Sequence, residues 1–352
     1  MRTSLLDYAL PTELIATVPL AERDHGRLLV LAPSELGHSS IRDLPELLPK
    51  GALVVLNDTR VFRARLVGTR PGGGRAELLL LRRMGPAGAV ERWTALGKPA
   101  KRLRPGMQLG FGALGVEVRA RDAAGGLELE LRADDSVDAT LERVGRVPIP
   151  PYLGRDDEPL DAARYQTVFA RRTGSVAAPT AGLHLSQALL ERFRERGVET
   201  AQVTLHVGPG TFKPVSADDL DQHDMHSEQV EVGPDVVRAI GRARERGAPV
   251  VAIGTTVVRA LESARDPRRP GHVRELFDDT RLLIQPGYRF GVVDALLTNF
   301  HMPRSTLLAL VAAFAGLERT QEAYRAAIVH RYRFLSYGDA MWIPSRLEPI
   351  EP

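Results

Sequence analysis

Between residues 61 and 146 the sequence changes its period, and this constrains the fold more than any other feature. The runs VFRARLVG, RAELLLLRR, ERWTALG, MQLGF, VEVRARD and LELELRA follow at fairly even spacing, separated by Gly and Pro. Many alternate apolar and polar residues, which places one face of an extended strand inward and the other outward. Such a series predicts an all-β unit, a small barrel. On either side, strand-like and helix-like segments alternate instead. That alternation predicts an α/β fold with a largely parallel sheet flanked by helices. The simplest architecture is an α/β catalytic domain, residues 1–60 and 147–352, interrupted by an inserted barrel domain at 61–146.

In the first part, Pro11 starts a short helix predicted over 10–18, and RLLVL at 27–31 reads as a buried strand. A short helix at 41–48 precedes a second buried strand, ALVVL, at 52–56. After the barrel, VPIPPYLGR at 147–155 is a stiff Pro-rich connector. Helices are then predicted over 186–196, 234–246 and VVRALES, with two more from Ser305 and in EAYRAAIVHRY. Strands are predicted in TAQVTLHVG, PVVAIG, RLLI at 281–284, and VVDALLTNFH.

The 352 residues allow about two domains and a sizeable core. A formal charge of +3 permits nucleic-acid binding without demanding it. The absence of cysteine excludes disulfides, thiolate catalysis, cysteine-ligated zinc and iron–sulfur clusters. No long apolar run is present and the N-terminus lacks a signal pattern, so a soluble, cytoplasmic protein is expected.

The stretch YQTVFARRTGSVAAPTAGLHLSQ, residues 165–187, combines small residues with Tyr165, Thr180, Gly182 and His184. Glycine and alanine let backbone approach a ligand closely, and Leu185, Leu189, Leu190 and Phe193 then recur at helical spacing. A helix start capped by Thr180 or Ser186 explains the same residues without a ligand.

Several predicted strands end in polar turns. One ends in Asn57, Asp58, Thr59 and Arg60, one at His206, one before Thr255 and Thr256, and one at Asn299 and His301. C-terminal strand ends in a parallel sheet share an edge, so these turns are expected to converge on one pocket with the PTAGLH turn. An Asx-turn at Asn57 and a hydrogen-bonded core histidine at His206 are the structural alternatives. His223, His226 and Glu228 form H-x-x-H-x-E, which with His206 offers metal-ligand chemistry, although this spacing does not match the helical His pair of zinc hydrolases. KPAKRLRPG places Lys98, Lys101, Arg102 and Arg104 on a barrel loop downstream of Trp93. Such loops serve as nucleic-acid platforms, or are simply solvated. No P-loop, G-x-S-x-G or kinase signature is present, and the glycines of GPGTF and GTRPGGG lack a strand–G-x-G-x-x-G–helix context.

Taken in order, these motifs resemble the S-adenosylmethionine:tRNA ribosyltransferase-isomerases of queuosine synthesis. The resemblance runs from YALPTELIATVPLAERDHGRLLVL through VVLNDTRVFRARLVG, GKPAKRLRPG, PIPPY, YQTVFARRTGSVAAPTAGLH, VTLHVGPGTFKPV, GTTVVRALE and TNFHMPRSTLLALVAAFAG to YRFLSYGDAMWI. It therefore covers essentially the whole chain. Leu185 stands where the family usually has phenylalanine, and Gly26 where it often has serine.

The resemblance implies S-adenosylmethionine as a co-substrate that donates its ribosyl group, with no prosthetic group and no metal. The acceptor is 7-aminomethyl-7-deazaguanine at the tRNA wobble position. The product is epoxyqueuosine-tRNA, with adenine and methionine released. No membrane and no obligatory protein partner are implied. The chemistry needs a base beside the sulfonium, assistance to departing adenine and a neutral acceptor amine. His184, His206 and His301 are candidates for proton transfer, and Asp58 and Glu228 for facing the sulfonium or the amine. Asn57, Arg60, Tyr165, Thr180, Gly182, Thr255, Thr256, Asn299, Tyr337 and Asp339 are expected to bind substrate, and Lys98, Lys101, Arg102 and Arg104 to bind tRNA. A metal-dependent hydrolase built on His206, His223, His226 and Glu228, and a non-catalytic RNA-binding protein, are the rival readings.

Overall fold

The computed structural model describes residues 1–212 and 214–346. Among these, the chain opens with β1 (Arg27–Leu31), β2 (Leu36–Ser40), the single turn α1 (Leu44–Leu47), β3 (Leu53–Asn57) and β4 (Thr59–Val61). Six strands follow: β5 (Arg65–Thr69), β6 (Arg75–Arg83), β7 (Val90–Lys98), β8 (Gln108–Phe111), β9 (Leu114–Arg121) and β10 (Leu127–Arg132). Next come α2 (Val137–Val144), α3 (Pro159–Arg164), β11 (Arg172–Ser175), α4 (Gln187–Glu195), β12 (Glu199–Leu205) and β13 (Glu228–Val232). The chain closes through α5 (Pro234–Glu245), β14 (Val250–Ile253), α6 (Thr255–Ser263), β15 (Leu276–Thr280), β16 (Ala295–Asn299), α7 (Thr306–Ala315), α8 (Leu317–Val329) and β17 (Ala340–Ile343).

Strands β5 to β10 close into an antiparallel barrel in the order β10-β7-β6-β5-β8-β9. Their alternation sends Ala76, Leu78, Leu80, Val116, Val118, Leu127, Leu129 and Leu131 into one core. The all-β unit expected over 61–146 also contains one helix, α2. Val137 and Leu141, four apart on one face, pack into the barrel core, and Ser136 caps the helix through the Ala139 N–H.

Nine of the other eleven strands form one sheet in the order β15-β13-β12-β3-β14-β16-β17-β1-β2, and β11 pairs with β4 in a separate two-stranded sheet. The expected largely parallel sheet is in fact mixed. β12, β3, β14 and β16 run parallel, as do β17 and β1, while β15, β13, β17 and β2 are added by antiparallel pairing. Parallel neighbours need a crossover element, whereas antiparallel pairing needs none. Among the described residues, β12 and β13 are joined without an α-helix.

The central strands are covered on both faces, which explains their unbroken apolar runs. Leu53, Val55, Ala252 and Leu296 face a core shared with α5, α6, α7 and α8. Val54, Leu56, Ile253 and Leu297 face a second core shared with α1 and α4.

Two local expectations are corrected. RLLI at 281–284 is not a strand; the ladder to β13 is made by the preceding β15. Ile284 is buried in the core without pairing, so apolarity there reflects packing alone. Residues 10–18 do not form an α-helix but a single 3-10 turn at Thr12–Leu14. The Phe334 N–H donates to Leu14 O and the Ala16 N–H to Phe334 O, which holds the following backbone extended.

Candidate active site

The parallel run β12-β3-β14-β16 brings four strand ends to one edge: His206, Asn57–Asp58, Gly254–Thr256 and Asn299–His301. The PTAGLH segment forms a 3-10 turn, Thr180–His184, beside β16. Ser186 then caps α4 through the Leu189 N–H. The turns lie along one edge but divide among adjoining spaces.

The largest is a cleft of about 1110 Å³ between barrel and sheet. Phe62, Trp93 and Arg121 line its barrel side, and Gly174, His206 and Glu228 the opposite side. Glu91 fixes Trp93, whose Nε1–H donates to Glu91 Oε2 at 2.7 Å. The His206 Nδ1 lies 2.7 Å from Thr59 Oγ1. Gly174 packs on the same imidazole so closely that a Cβ there would stand 2.7 Å from Cε1 and Nε2. Burial pushes the His206 imidazole below its ordinary pKa, while Asp58 pulls it back. A neutral imidazole on a cleft wall is suited to take up a proton. Glu228 is buried and accepts from the Gly208 N–H at 2.8 Å and from Arg259.

Val207 separates this cleft from a cavity of about 50 Å³ and lines both. Thr180, Thr255, Thr256, Asn299 and His301 meet there. The Asn299 Nδ2 donates to Leu335 O at 3.0 Å and to His184 Nε2 at 3.2 Å. His184 therefore stands behind Asn299 and opens toward a separate hollow with Arg23 and Tyr337. Burial lowers the His184 pKa to about 4, against the opposing charge of Asp339. Burial alone lowers that of His301 to about 3. His301 Nε2 lies 2.8 Å from Thr298 Oγ1.

Other expected site residues are engaged in holding the fold. Asn57 bridges β3 and β12: its Nδ2 donates to Leu205 O, and its Oδ1 accepts the Leu205 and Thr59 N–H groups. The buried Asp58 carboxylate accepts from Arg171 and from Thr204 Oγ1. Asp339 accepts the Arg27 and Arg333 N–H groups. Tyr165 packs edge-on against Tyr337, whose hydroxyl donates to Asp161 at 2.8 Å. Gly182 is required where it stands, since a Cβ would meet Thr167 Cγ2 at 2.9 Å. Arg60 is exposed on β4. Lys98, Lys101, Arg102 and Arg104 are all exposed at one end of the barrel.

His223 and His226 line a small space with Glu228 and Arg259. Among the described residues, no three His, Asp or Glu side chains are placed to hold a metal ion. Glu228 is already committed to a guanidinium, which removes the carboxylate that the metal reading required. Among the described residues, no helix is long and apolar enough to cross a membrane.

Sequence reasoning missed Arg259 and Gly174. An arginine inside VVRAL, in a helix buried at eight consecutive positions, signals a buried charge that needs a carboxylate. The Gly174 approach to His206 leaves no such trace.

The molecule is thus of a mixed α/β class, with a closed barrel beside the polar edge of the sheet and a cleft of about 1110 Å³ between them. The family described as "Queuosine biosynthesis protein" matches residues 3–343, and the chain belongs to it. It is 56% identical to the S-adenosylmethionine:tRNA ribosyltransferase-isomerase of Sorangium cellulosum, over 97% of this chain and 98% of that one. It is 52% identical to the corresponding protein of Anaeromyxobacter sp. (strain Fw109-5), with the same coverage. A crystal structure of S-adenosylmethionine tRNA ribosyltransferase from Thermotoga maritima is 35% identical, covers 97% of this chain and 100% of its own, and superposes with a TM-score of 0.54.

Proposed function

We propose that this chain transfers and isomerises the ribosyl group of S-adenosylmethionine onto 7-aminomethyl-7-deazaguanine in tRNA. Epoxyqueuosine-tRNA is formed, and adenine and methionine are released. The observation that carries this reading is 56% identity, across nearly both full lengths, to a protein named for that activity. The cleft supports it: it is large enough for a nucleotide, and the barrel that forms one wall carries exposed cations, Lys98, Lys101, Arg102 and Arg104 among them. In this reading the α/β unit, residues 1–60 and 147–352, is catalytic, and the barrel unit, 61–146, receives tRNA.

The sulfonium acidifies the adjoining ribose methylene, and His206, neutral on the cleft wall, takes that proton. The acceptor amine must reach the sugar uncharged, which a desolvated site favours. His301, also neutral, and the Thr255–Thr256 turn contact the co-substrate from the neighbouring cavity. Lys98, Lys101, Arg102 and Arg104 contact the tRNA backbone, where phosphate contacts position rather than specify. S-adenosylmethionine acts as co-substrate, with no prosthetic group.

The test is adenine release from S-adenosylmethionine in the presence of tRNA carrying the aminomethyl base, with the product base identified by mass. Release coupled to the mass gain of the epoxyqueuosine base is expected. A protein that binds this tRNA but releases no adenine would leave the RNA-binding reading instead.

A further inference from the structure

We propose that the cavity at the start of α6 is a subsite for an α-amino acid group, the ammonium and carboxylate of the methionine half of the co-substrate. This rests on the function proposed above.

Three observations meet there. The first is the helix start itself. α6 has nine residues, and its N-cap, Gly254 at φ 96°, supplies no side-chain cap. The Val257 and Val258 N–H groups already bond to Gly254 O. The first N–H groups of a helix, here those of Thr255 and Thr256, have no intrahelical acceptor. They line the cavity and suit an anionic oxygen.

The second is Thr256. It is 9% exposed, and its buried Oγ1 has no hydrogen-bond partner among the described residues. A buried hydroxyl without a partner is costly, and a carboxylate beside the helix start would accept from it.

The third is Asn299, 2% exposed. Both acceptors near its amide, Leu335 O and His184 Nε2, are taken by Nδ2, which fixes the orientation of the group. Oδ1 is left buried and without a partner among the described residues. An oxygen of this kind calls for an N–H donor.

The cavity therefore offers donors on one side and an acceptor on another. Among the described residues lining it there is no Lys, Arg, Asp or Glu. A lone phosphate would be uncompensated there, whereas a group carrying both charges is matched. The size agrees. At about 50 Å³ the cavity holds a few heavy atoms, since roughly 10–15 Å³ accommodates one water. That admits an amino acid head group and refuses a purine.

The test uses the whole enzyme and three ligands: S-adenosylmethionine, its decarboxylated form, and 5′-methylthioadenosine, which lacks the amino acid group altogether. Calorimetric affinities are measured for the wild type and for Thr256→Val. The wild type is expected to bind the decarboxylated compound about tenfold or more weakly than S-adenosylmethionine, the size of lost hydrogen bonds to a charged group. Thr256→Val should narrow that ratio and leave 5′-methylthioadenosine unchanged. Equal affinity of the wild type for the two sulfonium compounds would overturn the subsite, while adenine release would still stand for the reaction. A Thr256→Val protein that weakens all three ligands alike would also overturn it. No adenine release from S-adenosylmethionine by the wild type would overturn the reaction and the subsite together. The wild-type ligand series needs no variant to fold.

Discussion

The cleft and the small cavity are neighbours on one sheet edge, yet they are built differently. The cleft wall includes ionised groups that are paired from behind, Glu228 with Arg259 and Arg83 with Glu91. The cavity holds neutral groups, two of them with unsatisfied atoms, Thr256 Oγ1 and Asn299 Oδ1. Paired charges fix a wall, whereas unsatisfied neutral groups are costly to bury. In the reading proposed above, protons move at the first and the co-substrate is held at the second.

The largest expected effect comes from the cleft. His206→Ala should lower single-turnover adenine release about 10²–10⁴-fold, the range for loss of a proton-transfer group, with S-adenosylmethionine affinity nearly intact. Near-normal release would move the chemistry away from the cleft. Next is Glu228→Gln, which leaves Arg259 as a buried charge without its carboxylate. A loss of about 3–5 kcal/mol in denaturant unfolding is expected. The double variant with Arg259→Met should recover part of that loss, and the same loss in both would show that the pair matters little.

The histidines around the cavity set a pH dependence. Their folded pKa values, about 4 for His184 and about 3 for His301, lie below the ordinary histidine value of 6.5. The unfolded chain therefore binds more protons below about pH 6.5, and stability falls as pH drops from there toward 4. Each histidine contributes a slope on the order of 1 kcal/mol per pH unit. Unfolding of the wild type and of His301→Gln from pH 7 to pH 5 checks this, and equal slopes would refute it.

His184 tests the boundary between the two spaces. Because its Nε2 accepts from Asn299, His184→Ala should raise KM for S-adenosylmethionine about tenfold, more than it lowers kcat. The reverse pattern, a severe fall in kcat with binding intact, would bring His184 into the chemical step. The smallest effect per residue belongs to the barrel loop. Neutralising Lys98, Lys101, Arg102 and Arg104 should weaken tRNA binding and flatten its logarithmic salt slope by roughly 0.7–0.9 for each phosphate that is no longer neutralised. An unchanged slope would make the loop merely solvated.

The elements that a short window can encode were readable. The barrel strands follow from a period of two, both buried strands of the first segment from unbroken apolar runs, and the helices beginning near residues 187, 234 and 306 from a period of 3.6. The shortcomings arise where pairing overrides pattern. EQVEV and AMWI became β13 and β17 because partner strands lay beside them, and RLLI stayed unpaired although it is more apolar than LFDDT.

The sequence by itself determined the series of polar turns and the family to which they belong, because both are written in contiguous residues. Only the tertiary structure decided which of those polar groups are spent and which are free. Asn57 is satisfied by Leu205, and Asp58 by Arg171 and Thr204. Asn299 is turned by Leu335 and His184, so that its Oδ1 is left without a partner among the described residues. These partners are 36–148 residues apart along the chain, and a hydrogen bond depends on distance in space, which no local pattern records.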